Sequence, residues 1–190
     1  MFKKFKIALP LAAFLAIAGF AYAQTSRNAP LAYCYDSSLG SAVGLTSFTC
    51  ATFTGTGSGT KLTASSVTGL LQPGMTISGT GVPSGTTIVS QTSGPAGGAG
   101  VYVTSNPTTS NSASLTEGGV PLAANYAVIC AYTQGIVWRD DGVAPTTTAG
   151  TGGNGLASGA CVSYNGDFAA LQIIQQQSSA VAGVEFYKGS

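Results

Sequence analysis

Short hydrophobic segments run through most of the chain, and each ends at Gly, Pro, Asn or Asp. This pattern predicts strands separated by turns. Segments 86–91 and 101–104, on either side of the glycine-rich stretch 94–100, predict a hairpin with a long loop. Segment 126–132 predicts a mostly buried strand, and the alternation over 183–188 predicts a final strand. The sequence therefore predicts an all-β fold: an antiparallel β-sandwich or jelly-roll-like domain with a β-rich insertion.

A change in composition divides this predicted fold. Residues 53–117 are dominated by Thr, Ser and Gly and contain no cysteine or tryptophan. We predict that they form a β-rich insertion, and that residues 24–52 plus 118–190 form the sandwich. Segment 168–174 fits either a strand or a helix, and its Ile173–Ile174 pair favours a strand.

The first 23 residues have the pattern of a secretory signal peptide. Lysines at positions 3, 4 and 6 precede the apolar stretch 7–20, and Ala21-Tyr22-Ala23 provides a small-x-small cleavage site. The apolar stretch is shorter than the ~20 residues of a spanning helix, which disfavours an uncleaved anchor. We expect cleavage at residue 23 and no membrane span after it. The mature protein is then extracytoplasmic, in the periplasm, at the cell surface or in the medium.

Cysteine usage agrees with an oxidising compartment. All four cysteines follow residue 23, so two disulfides can form, in three alternative pairings. We favour Cys34–Cys50 and Cys130–Cys161, because each pair brackets a local segment with turn residues. No pair has the C-x-x-C spacing of a zinc site, so we predict no metal centre built on cysteine.

Charge is scarce in the mature chain. Removing residues 1–23 with their three lysines leaves 167 residues with four basic and six acidic side chains. That is about 6% charged, compared with ~25% in typical domains. Four scattered cations cannot neutralise a phosphate backbone, which excludes a nucleic-acid partner. The absence of histidine excludes Ser-His-Asp and Cys-His catalysis. We expect no cofactor.

Two groups of segments resemble known protein families. Segment 137–146 reads VWRDDGVAPT, and with segments 164–174 (YNGDFAALQII) and 184–187 (VEFY) it resembles a small β-domain of tailed-phage and prophage structural proteins. Segment 75–89 resembles β-hairpin modules of phage tail-fibre-like and large bacterial surface proteins. Together they cover about half of the mature chain. The resemblance implies a structural role without catalytic residues. A phage-like domain adopted for an extracytoplasmic role accounts for both the resemblance and the export signal.

The acidic residues permit two kinds of site. Asp140, Asp141 and Asp167 could supply oxygen ligands to Ca²⁺, although the alternating spacing of a calcium loop is missing. The alternative is a turn at Asp140-Asp141-Gly142 in which the carboxylates accept backbone N–H bonds and Arg139 pairs locally. A glycosidase pair drawn from these aspartates and Glu185 has no spacing to support it.

Aromatic residues offer a sugar-binding alternative. Trp138 and Tyr164 are candidate contacts to a sugar ring, within a platform that could include Tyr126, Tyr132 and Tyr187. On alternating strands a lone Trp is also a typical core residue.

The sequence therefore predicts an exported, non-enzymatic structural, assembly or surface protein. Its expected partners are copies of itself or other surface or virion proteins. The alternative function is a carbohydrate-binding or adhesive module that uses aromatic side chains on a glycan, and a hydrolase is the third.

Overall fold

The computed structural model describes residues 30–189, so the predicted signal peptide (1–23) lies outside the described residues. Within this range the chain forms thirteen strands and a short 3-10 helix, Leu45–Ser47. The strands are β1 (Ala32–Asp36), β2 (Val43–Gly44), β3 (Thr49–Gly69), β4 (Thr76–Gly79), β5 (Ile88–Ser93), β6 (Gly100–Thr108), β7 (Ala113–Gly118), β8 (Tyr126–Ala131), β9 (Ile136–Arg139), β10 (Asn154–Leu156), β11 (Cys161–Tyr164), β12 (Gln172–Gln175) and β13 (Ala182–Tyr187). The all-β prediction is confirmed.

The strands of residues 30–189 form two antiparallel sheets. The larger, nine-stranded sheet has the order β11-β8-β13-β1-β3-β6-β5, with β7 paired to both β3 and β4. The smaller sheet has the order β10-β9-β12-β2. Side chains of both sheets meet in one hydrophobic cluster, which includes Ile129, Val184 and Phe186 from the larger sheet and Ile136 and Ile173 from the smaller one. The packing is that of a β-sandwich.

The long strand β3 connects the sandwich to a second unit. Its first residues pair with β1 at Tyr35–Thr49, and its later residues pair with β7 and β6. The backbone of Ile77 donates to Thr86 over 2.9 Å and that of Ile88 to Met75 over 3.0 Å, which joins β4 to the segment entering β5. Strands β5, β6, β3, β7 and β4 thereby close a ring around a second hydrophobic cluster, which draws only on residues 51–115.

Both favoured disulfides are present. Cys34 and Cys50 join β1 to β3 inside the sandwich core, and Cys130 and Cys161 lie directly opposite each other on β8 and β11. The pairing predicted from the sequence is confirmed. Two disulfides are compatible with an oxidising, extracytoplasmic environment.

Individual strands follow the predictions closely, with one partial error. The hairpin of β5 and β6 and the final strand β13 are confirmed. In segment 168–174, only the end is a strand, because Asp167 organises a turn before it. The Asp167 side chain accepts a hydrogen bond from the Ala169 N–H over 2.8 Å. The backbone carbonyl of Asp167 accepts a second one from the Ala170 N–H. The strand prediction is wrong for residues 168–171. Among residues 30–189, no helix is long and apolar enough to cross a membrane.

Candidate functional site

The outer face of the sandwich's larger sheet carries an unusual number of tyrosines. On β1, Ala32 and Cys34 point into the core, so Tyr33 and Tyr35 point outward and are 44% and 50% exposed. Neighbouring strands add further tyrosines to this face. We call the following set the tyrosine face: Tyr33, Tyr35, Tyr126, Tyr132 and Tyr187.

Tyr132 links three strands of the tyrosine face. It follows β8 and its ring lies over Gly183 of β13, where a Cβ would come within 2.4 Å of the ring. This close approach requires glycine at position 183. The Tyr132 hydroxyl accepts a hydrogen bond from that of Tyr33 on β1 over 2.9 Å. Burial is the largest cause that raises the pKa of Tyr132 to about 12. The Tyr132 hydroxyl therefore remains protonated at neutral pH.

The tyrosine face continues into a shallow groove beside β1. The groove has a volume of about 240 Å³ and includes Tyr33, Tyr35, Thr52, Thr68 and Leu70 among its lining residues. Leu70 is itself 42% exposed. The surface thus combines flat aromatic rings, threonine side chains and an apolar edge, a composition typical of protein interfaces.

Charge is sparse on this face as well. Glu185 lies beside Tyr33 in the strand register, and its carboxylate accepts a hydrogen bond from Tyr187. At the far edge, the Cys130–Cys161 disulfide holds β8 and β11 together. Contact between copies at this surface therefore meets little electrostatic repulsion.

The predicted sugar contacts, Trp138 and Tyr164, lie elsewhere. Tyr164 is only 6% exposed, and half-buried Trp138 packs on its edge with ring centroids 5.9 Å apart. Phe168 contacts Tyr164 from another side and also packs on Phe186. The Tyr164 hydroxyl donates to the Asp167 carbonyl over 3.0 Å. Both aromatics belong to the sandwich core, as the core alternative describes.

The aspartates are held in local turns. Asp141 forms an ion pair with Arg139 and also accepts the Val143 N–H. The Arg139 guanidinium, followed by this backbone bond, lowers the pKa of Asp141 to about 2. Asp167 organises the turn after β11. Within residues 30–189, Asp140, Asp141 and Asp167 do not come together in a metal-binding cluster. The bonds of Asp141 to Arg139 and to the Val143 N–H are those of the turn alternative.

Glu117 is a buried acid that the sequence analysis counted only as a charge. It points into the ring from β7, is fully buried, and accepts the Gln72 N–H over 2.7 Å through Oε1. Its Oε2 has no hydrogen-bond partner among the described residues. Burial raises the pKa of Glu117 to about 8, against the smaller opposing effect of the Gln72 bond. The carboxyl is therefore mostly protonated at neutral pH.

Tyr33 and Tyr35 were absent from the aromatic platform proposed from the sequence. The signal that reveals them is the alternation Ala-Tyr-Cys-Tyr at positions 32–35. Once Cys34 is assigned to a core disulfide, both tyrosines must point to the opposite face of the strand.

Comparison of the chain with protein-family models, curated protein sequences and solved structures finds no match. The functional argument therefore depends on the molecule's own surface.

Proposed function

We propose that this chain is an exported, non-catalytic surface or assembly protein that self-associates through the tyrosine face. The observation that carries the proposal is the outward exposure of Tyr33, Tyr35 and Tyr132 on a weakly charged face of the sheet. Tyrosine rings bury large areas at low entropic cost, and their hydroxyls can pair with those of a second copy. The signal-peptide pattern and the two disulfides support an extracytoplasmic setting.

The size of the face sets the expected strength of this association. Five strands at ~4.8 Å spacing and five residues at ~3.3 Å each give roughly 400 Å² per copy. Two copies bury roughly 800 Å², below the ~1,200 Å² of a stable standard interface. We therefore expect a weak, concentration-dependent contact that becomes effective when many copies are displayed together.

Sedimentation velocity of the mature protein from ~10 µM to ~1 mM tests this proposal, the range spanning weak affinities. We expect the average mass to rise with concentration. Tyr35→Glu places a charge in the face and should abolish the rise. Val89→Glu is the matched control, because Val89 is a 53% exposed strand residue on the ring rather than on the tyrosine face. A strict monomer throughout, or equal effects of both variants, would contradict the proposal.

A further inference from the structure

A second concave site lies where the ring meets the sandwich. This junction groove has a volume of about 610 Å³, within the ~300–1,000 Å³ typical of small-ligand sites. Its walls come from distant parts of the chain: the turn before β4, the segment between β7 and β8, and the turn after β11. It is separate from the tyrosine face, since none of the five tyrosines of that face lines it.

Backbone contacts fix the walls of the junction groove relative to each other. The Leu122 N–H donates to the Pro73 carbonyl over 3.2 Å, and Gly74 sits so close to Leu122 that a Cβ would come within 2.7 Å of it. Met75, next to Gly74, is completely buried in the sandwich core. Opposite, a Cβ at Gly166 would come within 2.5 Å of the Tyr164 hydroxyl. The groove is therefore a preformed feature of the fold.

Several polar groups in the groove retain unused hydrogen-bonding capacity. Among residues 30–189, the exposed amide of Asn165 has no hydrogen-bond partner. Asn125 uses its Oδ1 to accept the Gly189 N–H, which leaves its NH₂ group as a donor. Asp167 uses Oδ1 for the Ala169 N–H, which leaves Oδ2 as an acceptor. The groove thus offers donors and acceptors together.

An apolar part lies beside these polar groups. Val120, Ala124 and Phe168 line the same groove. Donors and acceptors next to an apolar surface suit a ligand that has hydroxyl groups on its rim and C–H groups on its face. The carboxylate of Asp167 repels anions, and no acidic cluster within the described residues is available for a metal ion. These features disfavour an anion or a metal ion as the ligand.

We propose that the junction groove binds a neutral saccharide, with Asn125, Asn165 and Asp167 bonding sugar hydroxyls and Phe168 contacting the ring face. This site is independent of the self-association proposed above.

The test is an NMR titration of the ¹⁵N-labelled mature protein, kept dilute, with cellobiose, maltose, lactose and diacetylchitobiose. Each disaccharide is added up to ~50 mM, which covers millimolar dissociation constants. We expect at least one sugar to cause saturable shifts at the amides of Gly119 and Gly166 in the groove walls. No saturable shift with any of the four sugars, or shifts confined to Tyr33 and Tyr35, would overturn the proposal.

Two variants and a control make the assignment specific. Asn165→Ala removes an amide that makes no bond within the described structure, and Asp167→Asn keeps the Oδ1 acceptor of the turn. Each should weaken the sugar affinity by about tenfold. Asp140→Asn makes the same charge change outside the groove and should leave the affinity unchanged. Equal affinity in all three variants would overturn the proposal. Sedimentation in sugar-free buffer reports on self-association separately, so either proposal can fail alone.

Discussion

Replacing Glu117 with glutamine should remove a large pH dependence of stability. The carboxyl is fully buried in the ring, and burial raises its pKa from 4.5 to about 8. Because the folded-state pKa is the higher one, the protonated acid stabilises the fold fully below pH 4.5. This stabilisation is lost as the pH rises through about 8, because the unfolded chain gives up the proton more readily.

The structure sets the magnitude of this effect. Each pH unit between the two pKa values lowers the free energy of unfolding by about 1.4 kcal/mol. From pH 5 to pH 8 the free energy of unfolding should therefore fall by roughly 3–4 kcal/mol, a large part of the ~5–15 kcal/mol typical of domains. Few other groups titrate in this interval, since the chain has no histidine and its four cysteines are in disulfides.

Urea unfolding at pH 5, 6, 7 and 8 measures this slope. The Glu117→Gln variant keeps an acceptor for the Gln72 N–H and should be within about 1 kcal/mol of the wild type at pH 5. At pH 8 it should be more stable than the wild type, because glutamine never ionises. Asp140→Asn, an exposed control, should keep the wild-type slope. A wild-type stability that is flat over this range, or a glutamine variant with the same slope, would refute the reasoning.

Three further predictions concern the sandwich. The β8–β11 disulfide should be reduced by dithiothreitol before the β1–β3 disulfide, because Cys161 is exposed while Cys34 and Cys50 are both buried. Timed alkylation with mass spectrometry gives the order, and simultaneous reduction would contradict the prediction. Tyr164→Phe should lower the free energy of unfolding by about 1 kcal/mol, because it removes the hydrogen bond from the Tyr164 hydroxyl to the Asp167 carbonyl. Urea unfolding measures this loss, and an unchanged midpoint would argue against that bond. Arg139→Gln should raise the pKa of Asp141 from about 2 toward 3.8 in an NMR titration, and a pKa that stays near 2 would show that the ion pair is not the main cause.

Local patterns predicted much of the fold. Alternation and turn residues were sufficient for β8, the β5–β6 hairpin and β13, because strands of this kind are marked by their own sequence. The disulfide pairing was favoured because each pair of cysteines brackets a local segment with turn residues. The turn at residues 168–170 was mistaken for strand because its apolar residues continue into β12. The side-chain contact that organises the turn is one hydrogen bond, from the Ala169 N–H to Asp167, and the apolar pattern does not reveal it.

The candidate sites depend on non-local contacts, which is why the sequence revealed less of them. Glu117 lies two residues after inward-facing Leu115 and so shares its face of β7. Whether a charged residue on that face is buried depends on how the ring closes around it. Tyr132 joins the tyrosine face only because it folds over Gly183, 51 positions away. The junction groove combines turns that are distant in sequence. The division into a sandwich and an insertion, the phage-domain resemblance and the export signal remain predictions.

The most direct measurement of the central claim is hydroxyl-radical footprinting of the mature protein, dilute and concentrated, read by mass spectrometry. Self-association through the tyrosine face predicts that Tyr33 and Tyr35 are oxidised less at high concentration. Leu122, 82% exposed and outside that face, should be oxidised equally in both samples. Equal oxidation of both tyrosines at the two concentrations would contradict the account.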